Sequence, residues 1–164
     1  MLKNAYYYRN QLNAIEVPDN KLLYYALGGY RTFEHLMEKD DWNKIQKVSV
    51  LDGNVIGYFS ATISQVTNSV SEVSAINFGH PRFTFSKDLR DFLLSLSKFN
   101  KINFSVVVGN PIESMYDKYV GSVGGRVVGT FNNDVKLING RLADRKWYEI
   151  TGEQLLTVTT TAQN

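Results

Sequence analysis

Residues 110–125, NPIESMYDKYVGSVGG, decide how the rest of the chain is read. They follow a strand-like run, 101–109, in which Ile102, Phe104, Val106 and Val108 alternate as one buried face. The run ends at Asn110, and Pro111 suits the first position of a helix that Asn110 can cap. Ile112, Met115, Tyr116, Tyr119 and Val120 fall on one side of that short helix, with Glu113, Asp117 and Lys118 off it. Gly121 and the pair Gly124-Gly125 then release the chain into another strand, 126–131. A strand, an asparagine, a helix with a tyrosine on its second turn and a glycine exit together make a candidate reaction centre.

Upstream, residues 87–99 form an amphipathic helix with Leu89, Phe92, Leu93, Leu96 and Phe99 as its apolar stripe and Ser86 as its natural cap. Before it, Asp52-Gly53 joins two strand-like runs, the strongest short-range hairpin signal, and 70–79 adds a third strand. The start of the chain reads as a short strand at 5–8. A helix follows Pro18-Asp19-Asn20 through Leu22, Leu23, Ala26 and Leu27, and a second runs from Thr32 to Lys39. Downstream, 146–150 is the last strand, with Asn139-Gly140 in the connection before it. Residues 1–150 therefore read as one domain, and the Thr-rich 151–164 as a flexible tail.

Composition narrows the chemistry. A net charge of +2, with no Lys/Arg cluster, argues against nucleic acid as a partner. The absence of cysteine excludes thiolate nucleophiles, disulfides and cysteine-bearing zinc sites. Two histidines far apart in sequence, His35 and His80, argue against a metal centre. No apolar run approaches the roughly 20 residues of a membrane helix, and 1–10 lacks the apolar core of a signal segment, so the expectation is a cytoplasmic protein.

The element string β-α-α-β-β-β-α-β-α-β-β, with three particular stretches, resembles the GNAT superfamily of acyl-CoA-dependent N-acetyltransferases. Asn110 and Tyr116 are similar to the asparagine and tyrosine of that family's last helix. Gly124-Gly125-Arg126-Val127-Val128-Gly129 looks like its glycine exit, and Asn139-Gly140, Asp144 and Tyr148 resemble its (D/N)-G-x-x-x-D-x-x-x-Y ending. The resemblance implies an α+β fold, a three-layer α/β/α sandwich. Its central sheet is mixed, mostly antiparallel, and splayed between strands 4 and 5. It implies acetyl-CoA as co-substrate, no metal, and direct transfer of the acetyl group to a primary amine. The amine acceptor, a small molecule or a protein amine, is not named by the sequence, and a homodimer is compatible. A different reading keeps the fold without the reaction, as a binding or assembly module.

The same resemblance assigns roles residue by residue. Tyr116 would be the acid at the thioester sulfur; packing on the sheet explains it too. Asn110 would bond the cofactor, or simply cap its helix. Glu72, early in the fourth strand, is a candidate base, or an exposed strand-end carboxylate; His80 is a second candidate base, or a loop residue. Phe78 and Gly79 would lend backbone groups to pantetheine, the larger row being 76–79. Thr84, Phe85, Ser86 and Lys87 would lie by the pyrophosphate. At this last place the family's glycine-rich motif is missing: residues 80–87 read HPRFTFSK. Glycine there removes the Cβ that keeps a phosphate from backbone amides.

Overall fold

The structure, a computed structural model, describes residues 1–15, 35–78, 82–137 and 139–161. The elements are β1 (Leu2–Asn4), a 3-10 turn (Ala5–Tyr8), α1 (Arg9–Ala14), β2 (Lys44–Leu51), β3 (Asn54–Ser64), β4 (Ser69–Asn77), α2 (Arg82–Ser95), β5 (Lys101–Val107), α3 (Glu113–Ser122), β6 (Arg126–Lys136), β7 (Leu142–Thr151) and α4 (Gly152–Thr161). One seven-stranded sheet takes the order β1-β2-β3-β4-β5-β7-β6. Among the described residues only the β4–β5 pair is parallel, so the sheet is mixed and mostly antiparallel.

The hairpin forms where expected. Asp52 and Gly53 both take positive φ, 48° and 82°, the twist that a two-residue turn between right-twisted strands demands. Period-2 alternation then sorts the strands. Phe59, Ala61, Val73, Ile102, Phe104, Tyr148 and Ile150 join Leu89, Phe92 and Leu96 in one core, so α2, α3 and α4 cover a single face, here called the front. Val48, Val55 and Tyr58 face the other way and pack with Ala5, Leu12, Leu36 and Ile76. Helix α1 and residues 35–37 thus cover the back of the β1–β4 half, which makes three layers.

Four expectations change. The aromatic run 5–8 is a 3-10 turn rather than a strand, because Asn4 Oδ1 accepts from Tyr6 N at 2.9 Å and turns the chain. The helices expected at 19–27 and 32–39 fall largely on 16–34, outside the described residues; residues 35–40 are not helical. Helix α2 starts at Arg82, not Lys87: Phe85 stands one turn before Leu89 and extends the apolar stripe backwards.

The segment expected to be a flexible tail contains α4, whose Leu155 is fully buried. Its start is built by Thr151 and Gln154. Thr151 Oγ1 accepts from Gln154 N at 3.2 Å, and Gln154 Oε1 accepts from Thr151 N at 2.9 Å. This is a reciprocal capping box, T-x-x-Q, and it was legible at 151–154 ahead of Leu155-Leu156. Among the described residues no helix is long and apolar enough to cross a membrane.

Candidate active site

Strands β4 and β5 pair only at Ser69–Lys101 and Val70–Ile102, although they run on to Asn77 and Val107. Beyond Val70 they separate. The cause lies on the other side of β4. Glu72 is opposite Thr62 and Val70 opposite Ile63, which leaves Ser71 bulged out of the β3–β4 ladder. A bulge bends its strand and sharpens the local twist, turning β4 away from β5.

Backbone parity fixes which groups face the gap. Phe78 N donates to Ile56 O at 3.1 Å, so Phe78, Ile76 and Ser74 spend their amides and carbonyls on β3. The alternate residues, Val73 and Ala75, turn theirs towards the gap. This corrects the expected donor row of 76–79 at Ile76 and Phe78, whose backbone groups are turned to β3, and leaves Asn77 on the gap side; the Phe78 side chain packs in the back core. Gly79 and His80 lie outside the described residues. The Val73 and Ala75 backbone groups were not singled out from sequence, because the register that exposes them depends on pairing with β3.

Helix α2 begins at the open end of the gap, and its first-turn amides have no intrahelical partner. Thr84 is half-buried in that turn and Lys87 is exposed one turn later. The Phe85 side chain is turned to the core, which leaves only its backbone to the cofactor side. Its ring is 4% exposed, stacks on Phe59 at 5.1 Å, and occupies space that Gly57 leaves free: a Cβ on Gly57 would sit 2.7 Å from it. Nor does Ser86 cap the helix; its Oγ donates to Met115 Sδ at 3.7 Å and joins α2 to α3. Asp88, one residue after Lys87, turns inward and is buried against Ser49 Oγ and the Met1 ammonium.

From the front, α3 closes the gap. It starts at Glu113 rather than at Pro111, and its N-cap, Ile112, has no side-chain cap bond. Asn110, expected as the cap, lies two residues earlier, where its Oδ1 accepts from Ile112 N at 3.1 Å and closes the turn that leads into the helix. Tyr116 is 6% exposed, with its ring edge-on to Phe104 at 5.1 Å and to Tyr148 at 6.0 Å. None of the described residues hydrogen-bonds its hydroxyl, and burial pushes its pKa upward. The Tyr119 hydroxyl is buried without a partner among the described residues, and burial takes its pKa up to about 12.

The outer side of α3 is tied to β7. Lys146 Nζ donates to Glu113 Oε1 at 3.1 Å and to Asp117 Oδ1 at 2.9 Å, and Tyr148 Oη donates to Asp117 Oδ1 at 2.8 Å. The Lys146 bonds hold the Asp117 carboxyl below its ordinary range. Burial, then the bond to Asp117, pushes the Tyr148 hydroxyl up. Tyr148→Phe is expected to cost about 1 kcal/mol near neutral pH, a charge-assisted bond discounted for the exposure of Asp117. Because the Asp117 pKa is depressed, that stabilisation is present above the unfolded carboxyl pKa of about 4 and is lost as pH falls through the folded value. Thermal melts at neutral and acid pH read it: the gap between wild type and variant closes in acid.

Glu72 is half-buried on β4. Its neighbour Val73 faces the front, so Glu72 faces the back, across the sheet from Tyr116. The opening between β4 and β5 is the passage between those two faces. Among the described residues no three His, Asp or Glu side chains gather as a metal site.

A splayed β4–β5 pair, with β7 inserted between β5 and β6, decides the architecture. This is the fold of the GNAT acetyltransferases. No family model and no curated protein sequence matches the chain. Solved structures do. An N-acetyltransferase from Staphylococcus aureus Mu50 is 13% identical with a TM-score of 0.65, over 93% of this chain and 98% of that one. The spermidine/spermine N-acetyltransferase SpeG from Vibrio cholerae, crystallised with manganese ions, is 20% identical at 0.63, over 96% and 95%. A ribosomal-protein-alanine N-acetyltransferase from Brucella melitensis is 16% identical at 0.54, over 66% and 68%. The chain spans less than two thirds, 65% and 63%, of two further acetyltransferase structures. At these identities the likeness is one of GNAT fold.

Proposed function

We propose that the chain transfers an acetyl group from acetyl-CoA to a primary amine by direct attack. The observation that carries this reading is the gap itself, which leaves the Val73 and Ala75 backbone edge without a strand beyond Val70. An extended pantetheine arm suits such an edge, and on α3 the Tyr116 hydroxyl and the buried Tyr119 hydroxyl receive no bond from the described residues. The residues present fit acetyl-CoA along the arm. For the phosphates they offer the first turn of α2, Thr84 and Lys87 rather than a glycine cradle.

Bound there, acetyl-CoA supplies the activated acyl group. Val73 and Ala75 orient its arm by backbone hydrogen bonds. Tyr116 holds a proton on its hydroxyl and gives it to the leaving sulfur. Glu72, on the back face, receives the ammonium proton through water. Asn110 fixes the turn into α3 and so the height of Tyr116 through its Oδ1, and its side-chain NH2 is the group left to bond the cofactor. The acceptor belongs to the class of primary amines, as spermidine does for the SpeG neighbours.

Thermal unfolding with added acetyl-CoA or coenzyme A tests this. Ligand at 100 times its dissociation constant stabilises by about 2.7 kcal/mol, a rise of roughly 5–11 °C in a chain of this size. No shift at millimolar concentration of either overturns the enzymatic reading and leaves the binding-module alternative.

A further inference from the structure

The back of the sheet beyond β4 is not covered by α1, and a hollow of about 470 Å³ opens there, floored by β5 and β7 and edged by β6. Its inner end is formed by Ser71 and Asn103. Ser71 is the bulged residue and Asn103 the first residue of β5 past the last β4–β5 pair. The hollow therefore ends at the vertex of the gap, on the face opposite Tyr116.

Its charged lining residues are paired, Arg145 with Asp134 and Lys101 with Glu149, so the charge it takes is decided by which partner yields. Glu149, the register partner of Asn103, has a side chain only 18% exposed. Its two oxygens are held by Arg126 at 2.8 Å and Lys101 at 3.2 Å, whose side chains are 71% and 47% exposed. The cations are long, solvated arms that can swing into water, whereas the carboxylate is fixed on a central strand. An entering ammonium can replace Lys101 and keep Glu149 paired. An entering anion must instead compete with Glu149 for cations that are already held. The apolar part is supplied by Val128 and Phe131 of β6, each 52% exposed, with Trp147 on β7, whose ring carries the Arg145 guanidinium at 4.8 Å from its centroid.

We propose that this hollow is the acceptor's docking site and that it takes a small primary alkylammonium with an apolar body, the charged head on Glu149 and the body against Trp147, Phe131 and Val128. The volume suits a small molecule. The name acceptor rests on the acetyl-transfer reading; the binding chemistry does not.

The test uses matched probes of opposite charge, 3-phenylpropylamine and 3-phenylpropionate, with no acetyl-CoA present. The sequence has two tryptophans, and Trp42 is 78% exposed, so a Trp42→Phe background leaves Trp147 as the single indole reporter. Calorimetric titration accompanies the fluorescence. Saturable millimolar binding of the amine is expected, with the carboxylate weaker by about tenfold or more. Glu149→Gln should weaken the amine by about the same factor, while Lys101→Met leaves it unchanged or tighter. Equal or tighter binding of the carboxylate, an unaltered amine affinity in Glu149→Gln, or neither heat nor fluorescence change with the amine overturns the proposal. Acetyl-CoA stabilisation without amine binding removes this site and keeps the proposed reaction; amine binding without acetyl-CoA stabilisation does the reverse.

Discussion

Gly152→Ala is expected to lower the thermal midpoint by roughly 6–12 °C. Gly152 opens α4 directly after β7, and its amide donates to Asn100 O at 3.3 Å. A Cβ built there falls within van der Waals overlap of two carbonyl oxygens, Ser97 O and Phe99 O. Both contacts are backbone, so no side-chain tip can swing aside. Either α4 lifts from the sheet or the 96–100 turn shifts, and that turn carries Leu96 and Phe99 in the main core. Overpacking of this kind costs about 3 kcal/mol, and about 2–4 °C accompanies each kcal/mol in a chain of this length. Gly53→Ala is the internal control. Gly53 has φ of 82° and no atom near its would-be Cβ, so it loses only the conformational term of about 1 kcal/mol. Melts followed by circular dichroism compare the two. A midpoint for Gly152→Ala no lower than that for Gly53→Ala would mean that α4 does not dock against the 96–100 turn.

That helix marks where the sequence was hard to read. The hairpin, the meander and the β5–α3–β6 passage rest on local signals: turn residues, alternation, and a proline two residues ahead of a helix. They were legible residue by residue. Helix α4 was hidden by composition, because a Thr-rich stretch reads as tail unless the Thr151–Gln154 pair is seen as a cap. The start of α2 was misplaced because Ser86 is a good cap by type. Tertiary packing of Phe85 over Gly57 outweighs that preference.

The candidate site divides along the same line. Tyr116 and Asn110 were legible because their helix is locally encoded. Val73, Ala75 and Glu149 were not, since what distinguishes them comes from register: which amides the β3 pairing leaves turned to the gap, and which charge sits by its vertex. The bulge at Ser71 sets both, and Ser71 has no signature in a run of Ser, Val and Glu.

Tyr116→Phe carries the largest expected effect on chemistry, a fall in turnover of about a hundredfold or more with the acetyl-CoA KM little changed. The variant keeps the ring, so the edge contacts with Phe104 and Tyr148 survive and only the hydroxyl goes. Because none of the described residues bonds that hydroxyl, its loss should leave the thermal midpoint level or slightly raised. Stability and turnover thus separate the two roles open to this tyrosine. A packing residue would leave both unchanged. A proton donor would lose rate while the fold holds. The sign of the pKa shift adds a second check. Burial raises it, so the hydroxyl stays protonated above the ordinary tyrosine value of about 10 and is a donor throughout the working range. The wild-type turnover should therefore show no alkaline decline belonging to Tyr116 below that pH. A decline that vanishes in Tyr116→Phe would mean that the hydroxyl titrates as an exposed phenol, and the buried-donor role would fall.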